Sequence, residues 1–595
     1  MVITLLALMP QIHFWFARGS HWHGTYTILQ PDELLYSAYV NALIDGRPRR
    51  NDPTSAQDDH PQASLPESLF SIQFVPAYAI ALSARAFVAS AATAFIILIG
   101  VTGLLSSLSI FWLLASLTGD SKFAGAGVLV VLCLGALAGG QGLIGLLLGS
   151  DVKFLGLPFL RAYEPSAAFP LFFVFCTLIW QSLTTAFKRT AKIKALLAGL
   201  SLALLIFSYF YLWTAAAVWL GCISCLWFVL RTGDRRDSFS RLIVAGPPVI
   251  IALGFYIYLL SHLPSSLDNA KLVVLTFTRK PDLLRVPEVI GGIILVALIM
   301  GVRRNQFSRE EPRVIMIASL ALLPFLLFNQ QLITGRSVQP FHYEILIANY
   351  AVLVGLVLTF GLLLPAFTNR TTLLIFVSCL LWGTVEVGLA IHARYASNVT
   401  YDEMVPVLLR LKDHAEDDGT WKGLRDSGRA PTVVFSPEYR LSGLLPTWAP
   451  QGSLLAAESA SFRGQSESDR KERLYTHFYY CRRSKEYVRV LLNGGAGDPF
   501  GTYYARSTIF GPDRAVTFLG SEFQPIRSDE IEREVGVYDA FARSFSHENA
   551  IKLKLGYVVA ASDGMFDFSA IDVWYQRGAS EHVGGFELYR LKLRE

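Results

Sequence analysis

The stretch TTLLIFVSCLLWGTVEVGLAIH, residues Thr371–His392, divides this chain of 595 residues into two kinds of polymer. It holds one acid, Glu386, and no Lys or Arg. That is enough apolar chain to cross a bilayer, which takes about 20 residues. Up to His392 the chain carries 26 basic and 19 acidic residues, about 11% charged. From residue 393 onward, 26 basic and 28 acidic residues make about 27%. An ordinary globular domain is roughly a quarter charged, so the first part reads as membrane-embedded and the second as soluble. The whole chain is 52% hydrophobic with a mean hydropathy of +0.41, which argues against a soluble enzyme. Its net charge of +5 divides into +7 before residue 393 and −2 after it. Such a balance carries no nucleic-acid signal, and no nucleic-acid partner is expected.

Working back from this last apolar run, ten more candidate spans appear: 2–17, 88–118, 123–148, 165–187, 195–211, 212–230, 242–260, 288–302, 313–328 and 343–367. With 371–392 they predict a polytopic α-helical membrane protein of about 11 spans. The first span begins next to Met1 with no basic residue before it and no small-residue cleavage site, so an anchor is expected and not a removed leader. Alternate connectors then differ in charge. One set holds 14 Lys and Arg, among them Lys188, Arg189, Arg235, Arg236, Arg303 and Arg304. The opposite short loops, 149–164, 261–286 and 329–342, hold seven. By the positive-inside rule the first set is cytoplasmic. The long loop 18–87, the three sparser loops and residues 393–595 are therefore expected on the outer face.

The outer loops carry the chemistry. The first opens Gln30-Pro31-Asp32-Glu33-Leu34-Leu35-Tyr36 and runs to Gly46, a short helix with Pro and acids in its first turn. Helix N-termini favour acids anyway, so position is what adds meaning: these acids fall at the mouth of a helix bundle, where an unused charge is expensive. The second outer loop adds Asp151, Lys153, Arg161 and Glu164. Surface pairs among those four would contribute little. Loop 261–286 mixes Lys271, Arg279, Lys280 and Arg285 with apolar residues, the composition of an interfacial segment drawn to phosphate head groups and membrane lipids. The fourth loop packs Arg336, His342 and Glu344 with several amides, and Arg suits phosphate oxygens.

Other signals fail. Asn493–Gly501 is Gly-rich but lacks the Lys-Ser/Thr of a phosphate-binding loop. Cys222 and Cys225 have C-x-x-C spacing inside a spanning run, where small buried hydrophobes are expected. Asp58, Asp59 and His60 read as a solvated loop. Asn398-Val399-Thr400 fits a glycosylation sequon. In the tail, Glu403–Glu416, Glu467–Leu492 and Glu530–Phe545 have helical spacing. Residues 431–437, Gly556–Ala561 and Gly585–Leu591 read as strands, together predicting a C-terminal extracytoplasmic α/β domain.

An acidic pair opening a short helix after the first span, a further acid in the next outer loop, basic inner connectors and an outer soluble domain together resemble the GT-C superfamily of integral-membrane glycosyltransferases. Locally the resemblance rests on Asp32-Glu33-x-x-Tyr36, and in architecture it covers residues 1–392, with 393–595 as the extracytoplasmic domain. No Trp-Trp-Asp run is present, which disfavours transfer to protein asparagine. The resemblance implies transfer of a sugar from a polyprenyl-phosphate donor to a glycan, lipid or protein hydroxyl of the cell envelope, in a bacterial cytoplasmic membrane. It implies Asp32 as general base with Glu33 second, since the acceptor hydroxyl must lose a proton as it attacks. Arg161, Arg336 and His342 would face the lipid phosphate, with Tyr36 beside them. Asp151 or Glu164 would orient the acceptor or hold a divalent cation, Mg or Mn, the sole cofactor the reading allows. The rival is a lipid-linked glycan or polysaccharide transporter or flippase. Transporters place polar groups near the bilayer centre, and here Glu386 is the exception among nearly uncharged spans.

Overall fold

The computed structural model describes residues 1–56, 65–149, 157–264, 278–364, 369–422, 432–456, 462, 466–495, 499–511, 514 and 525–595. Each of the eleven apolar stretches is mainly helical over its described residues. Among the described residues, seven helices have the length and hydropathy to cross a membrane: Ala91–Thr118, Phe210–Leu230, Thr232–Leu260, Val286–Arg303, Pro312–Thr334, Pro340–Leu363 and Asn369–Asp417. Val2–Arg18, Phe169–Thr184 and Lys188–Ile206 cover three further expected spans.

The remaining one, 123–148, is not a single helix. Ser121–Cys133 is followed by two short pieces, Gly135–Ala138 and Gly142–Leu147. The reason is local: Gly140 and Gly142 both take φ +63, a conformation that ends helices and favours glycine. Such a break leaves backbone groups in apolar surroundings, where each unsatisfied one costs several kcal/mol. Side chains from neighbouring helices meet that cost. Asn349 Nδ2 donates to the Gly135 carbonyl at 3.2 Å, and the Glu386 carboxylate accepts from the Leu143 N–H at 3.1 and 3.2 Å. The one acid of the last span thus caps a broken helix.

The connectors segregate as their charges suggest. Arg241 donates to the carbonyls of Ser182 and Thr185, Arg231 to that of Glu310, and Lys188 pairs with Asp237. The basic loops therefore meet one another. The opposite loops do likewise: Arg285 joins Asp282 and Glu344 at 2.7 Å each, and Glu67 N–H donates to the His262 carbonyl.

The last span does not stop at His392. It continues as one helix to Asp417, carrying the chain 49 residues without interruption into the soluble part. There a five-stranded sheet forms from β1 (Val433–Phe435), β2 (Gly452–Ser453), β3 (Leu555–Ala561), β4 (Tyr575–Val583) and β5 (Phe586–Leu593), in the order β2-β1-β3-β5-β4. β1 runs parallel to β2 and β3, while β5 is antiparallel to β3 and β4. The expected helix 467–492 is two, Glu467–Tyr480 and Lys485–Asn493, parted where Arg482 takes φ +51. β4 escapes sequence reading because it is an edge strand, polar and mostly exposed, with no apolar alternation to reveal it.

This C-terminal part sits on the first long loop. Ser37 Oγ and Thr447 Oγ1 share a hydrogen bond of 2.8 Å, Ser453 N–H donates to the Thr54 carbonyl at 2.7 Å, and Phe462 stacks on Phe70 with ring centroids 4.4 Å apart. The helix that begins at Glu33 is held between the bundle and the tail.

Candidate functional site

After Arg18 and a short turn the chain runs extended to Gln30, and its backbone donors are claimed one by one by helix side chains. His23 and Thr25 N–H donate to Asp402 Oδ1 at 3.0 and 3.3 Å, Thr27 N–H to Gln11 at 2.7 Å, and Ile28 N–H to Asn398 at 2.8 Å. Arg18 Nε adds a bond of 3.2 Å to the other oxygen of Asp402, which is fully buried. Asn398 is spent in this clamp and is itself buried, so the sequon is not a free acceptor in the folded protein.

The clamp delivers the chain to Gln30-Pro31-Asp32 and the helix Glu33–Ile44. Asp32 has helical backbone angles, and its side chain caps none of the first-turn N–H groups. A capping hydrogen bond therefore does not account for this acid. Its carboxylate, 41% exposed, instead pairs with the guanidinium of Arg161. Glu33 lies underneath, buried. One of its oxygens accepts from the Gln30 N–H at 3.0 Å and the other has no partner. Burial pushes the Glu33 carboxyl up to about 8, against the pull of Arg161 and with a smaller push from Asp32.

The second loop contributes Arg161, Tyr163 and Glu164 just before the helix Phe169–Thr184. Arg161 is nearly buried and its Nε donor is unpartnered. Glu164 is 1% exposed, and neither of its carboxyl oxygens has a hydrogen-bond partner. Burial raises this carboxyl well above the usual carboxylate range, with Arg161 opposing. Leaving a buried acceptor unmet costs about 1–3 kcal/mol, more for a charged group. Such groups in one place mark a site built for something polar. Tyr36 stacks on Tyr163 at 4.5 Å and lies in the field of Asp32, Arg161 and Glu164.

Two more segments close the cluster. Tyr209 precedes the helix Phe210–Leu230 and neighbours Arg161, Glu164 and Asp32 electrostatically. Tyr211 stacks on the His342 ring at 4.8 Å and donates its hydroxyl to Gln339. His342 feels the charges of Arg161 and Asp32, and its buried Nδ1 has no partner.

Asp32, Glu33, Tyr36, Arg161, Glu164 and His342 are thus brought together from three loops. Arg336 stands apart: its side chain is exposed, and its bonds run through the backbone, the carbonyl accepting from Gln330 and Thr334 and the N–H donating to Thr334 Oγ1. Asp151, like Asp58, Asp59, His60 and Lys271, lies outside the described residues. Among the described residues no three His, Cys, Asp or Glu side chains converge as a metal-ligand set. Within the cluster it is the Arg161 guanidinium that brings positive charge to the acids. Tyr209 is the residue that sequence reasoning missed. Its signal was present as the aromatic Tyr209-Phe210-Tyr211 interrupting two apolar runs, which reads equally as a span boundary.

No protein-family model matches the chain, and no curated protein does. Among solved structures the chain is similar to ArnT from Cupriavidus metallidurans in the apo state, at 13% identity and a TM-score of 0.40, over 98% of this chain and 97% of that one. At that TM-score and identity no role passes from one protein to the other.

Proposed function

We propose that this protein is a membrane glycosyltransferase of the GT-C type. It moves a sugar from a polyprenyl-phosphate donor to a hydroxyl of a cell-envelope glycan, lipid or protein at the outer face of a bacterial cytoplasmic membrane. Residues 1–392 form the transferase unit, and 393–595 form an extracytoplasmic domain seated over its first loop. The observation that carries this reading is Asp32: an exposed carboxylate, unused by its own helix and paired with an arginine from the next loop.

In the reaction the acceptor oxygen attacks the anomeric carbon and passes its proton to Asp32. The bond from that carbon to the phosphate oxygen breaks, and the lipid phosphate leaves with the electron pair. A base so placed contributes roughly 10²- to 10⁴-fold. Arg161 and His342 neighbour the same point and supply donors for the phosphate oxygens, whose growing charge calls for preorganised stabilisation. Glu33, buried and protonated near neutral pH, supports the turn beneath Asp32. Glu164 offers acceptors for sugar hydroxyls. Arg336 serves from the rim as an exposed cation attracting the anionic donor. A divalent cation, if the reaction uses one, would be held by Asp151 or Glu164.

The test is transfer of label from a panel of radiolabelled polyprenyl-phosphate sugars to mixed envelope glycans by the purified protein in lipid discs. Transfer from one donor supports the reading. A folded protein that binds a donor and transfers from none would turn it into a carrier of lipid-linked glycan.

A further inference from the structure

We propose that Arg161 is a two-position switch: paired with Asp32 when the site is empty, and transferred to the phosphate of the lipid-linked donor when it is filled. Donor binding thereby releases Asp32 Oδ2 from the arginine and leaves the whole carboxylate to the acceptor's proton. The inference rests on the glycosyltransferase reading and adds an order of events to it.

The resting pair is seen directly, with the Arg161 guanidinium on Asp32 Oδ2. An acceptor hydroxyl that approaches Asp32 in this state must share the carboxylate with the guanidinium. Arg161 meanwhile is under-used. Its Nε is buried without a partner, and the Glu164 carboxyl beside it accepts nothing. A planar guanidinium binds phosphate oxygens through two parallel N–H groups, so a phosphate satisfies more of Arg161 than Asp32 does at present. Asp32 is the partner easiest to release. It is partly exposed, so water replaces the lost contact at little cost, whereas Arg161 is nearly buried, in the field of Tyr36 and Tyr209. The carboxyl oxygens of Glu33 and Glu164 that accept nothing at present remain beside the guanidinium as neutral hydrogen-bond acceptors.

The two partners of Arg161 compete, and competition has a thermodynamic signature. Removing one should tighten binding of the other, by the fraction of protein freed from the resting pair. The probe is farnesyl phosphate, with inorganic phosphate as a second arm, titrated to the full chain in lipid discs. For Asp32→Asn the expected result is farnesyl phosphate binding about fivefold tighter than to wild type, the worth of roughly one kcal/mol for a half-exposed pair. In an Arg161→Gln background, binding should be weaker and Asp32→Asn should change it little. Equal tightening in both backgrounds would overturn the switch, because Asp32 would then act by repulsion alone. Undiminished binding by Arg161→Gln would overturn it too. Binding of inorganic phosphate as tightly as farnesyl phosphate would place a free anion at Arg161 and reject the lipid donor as its ligand. If farnesyl phosphate fails to bind wild type at all, the glycosyltransferase reading fails with the switch; in every other failure that reading survives. Should Asp32→Asn unfold, Asp32→Ser carries the same comparison.

Discussion

Two buried acids at the tail-bearing end of the bundle make opposite use of their burial. Asp402 accepts from two backbone N–H groups and from Arg18, so its negative charge is met on both oxygens. Glu164 is as deeply buried and meets no donor on either oxygen. The first acid fixes the path of residues 18–28 and so aims the chain at Asp32. The second gains nothing for the fold and lies among residues that point the same way: an unpaired Glu33 oxygen, an unpaired Arg161 Nε and an unpaired His342 Nδ1. The difference teaches how to tell a structural charge from a functional one here. Satisfied burial contributes stability, and unsatisfied burial is tolerated where a ligand completes it.

Substitutions can break this comparison. Asp402→Ala leaves two backbone donors without a partner and takes from Arg18 its buried carboxylate, leaving it only Glu403 and the His21 carbonyl, and breaking a buried pair costs about 3–5 kcal/mol. A thermal or chemical unfolding series in detergent should show that loss. Asn398→Ala removes one acceptor of the same clamp, with an expected loss of about 1–2 kcal/mol in the same assay. Glu164→Gln should behave in the opposite manner, leaving stability unchanged or raised while KM for the sugar donor rises about tenfold, the loss of roughly one good hydrogen bond. If Glu164→Gln unfolds the protein as Asp402→Ala does, the distinction between the two acids collapses.

Glu33 sharpens it further through pH. Its carboxyl is held up at about 8 in the fold, above the ordinary value of 4.5. The folded state therefore binds more protons than the unfolded one between those values, so stability falls as pH rises through that window. Glu33→Gln should flatten that slope of Tm against pH; an unchanged slope would mean that Glu33 is ionised and paired in solution. The smallest effect is expected for Glu386→Gln. The amide oxygen can still accept from Leu143, so transfer should stay within about threefold of wild type. A complete loss would return Glu386 to a transmembrane path and favour the transporter.

Much of this was legible in the sequence, for identifiable reasons. Apolar length and basic connectors are additive signals, so the helices and their two sets of loops could be read by counting. Asp32, Glu33, Arg161 and Glu164 stood out as charges at helix starts beside apolar runs. What the sequence hid depends on three-dimensional partners. Nothing in it says that Asp32 leaves its helix uncapped, that Asn398 is consumed by Ile28, or that Glu386 reaches Leu143, 243 residues earlier. The break in 123–148 was written as Gly139-Gly140-Gln141-Gly142, but hydropathy averages over it. Arg336 and Arg161 looked alike as loop arginines, and only the packing separates the exposed one from the one inside the cluster.

The most direct test of the central claim is single-turnover transfer by wild type and Asp32→Asn side by side, with donor binding measured on the same samples. The account predicts that Asp32→Asn binds donor at least as well as wild type and transfers 10²- to 10⁴-fold more slowly. Transfer at the wild-type rate by a folded Asp32→Asn protein would contradict it and move the base elsewhere in the cluster.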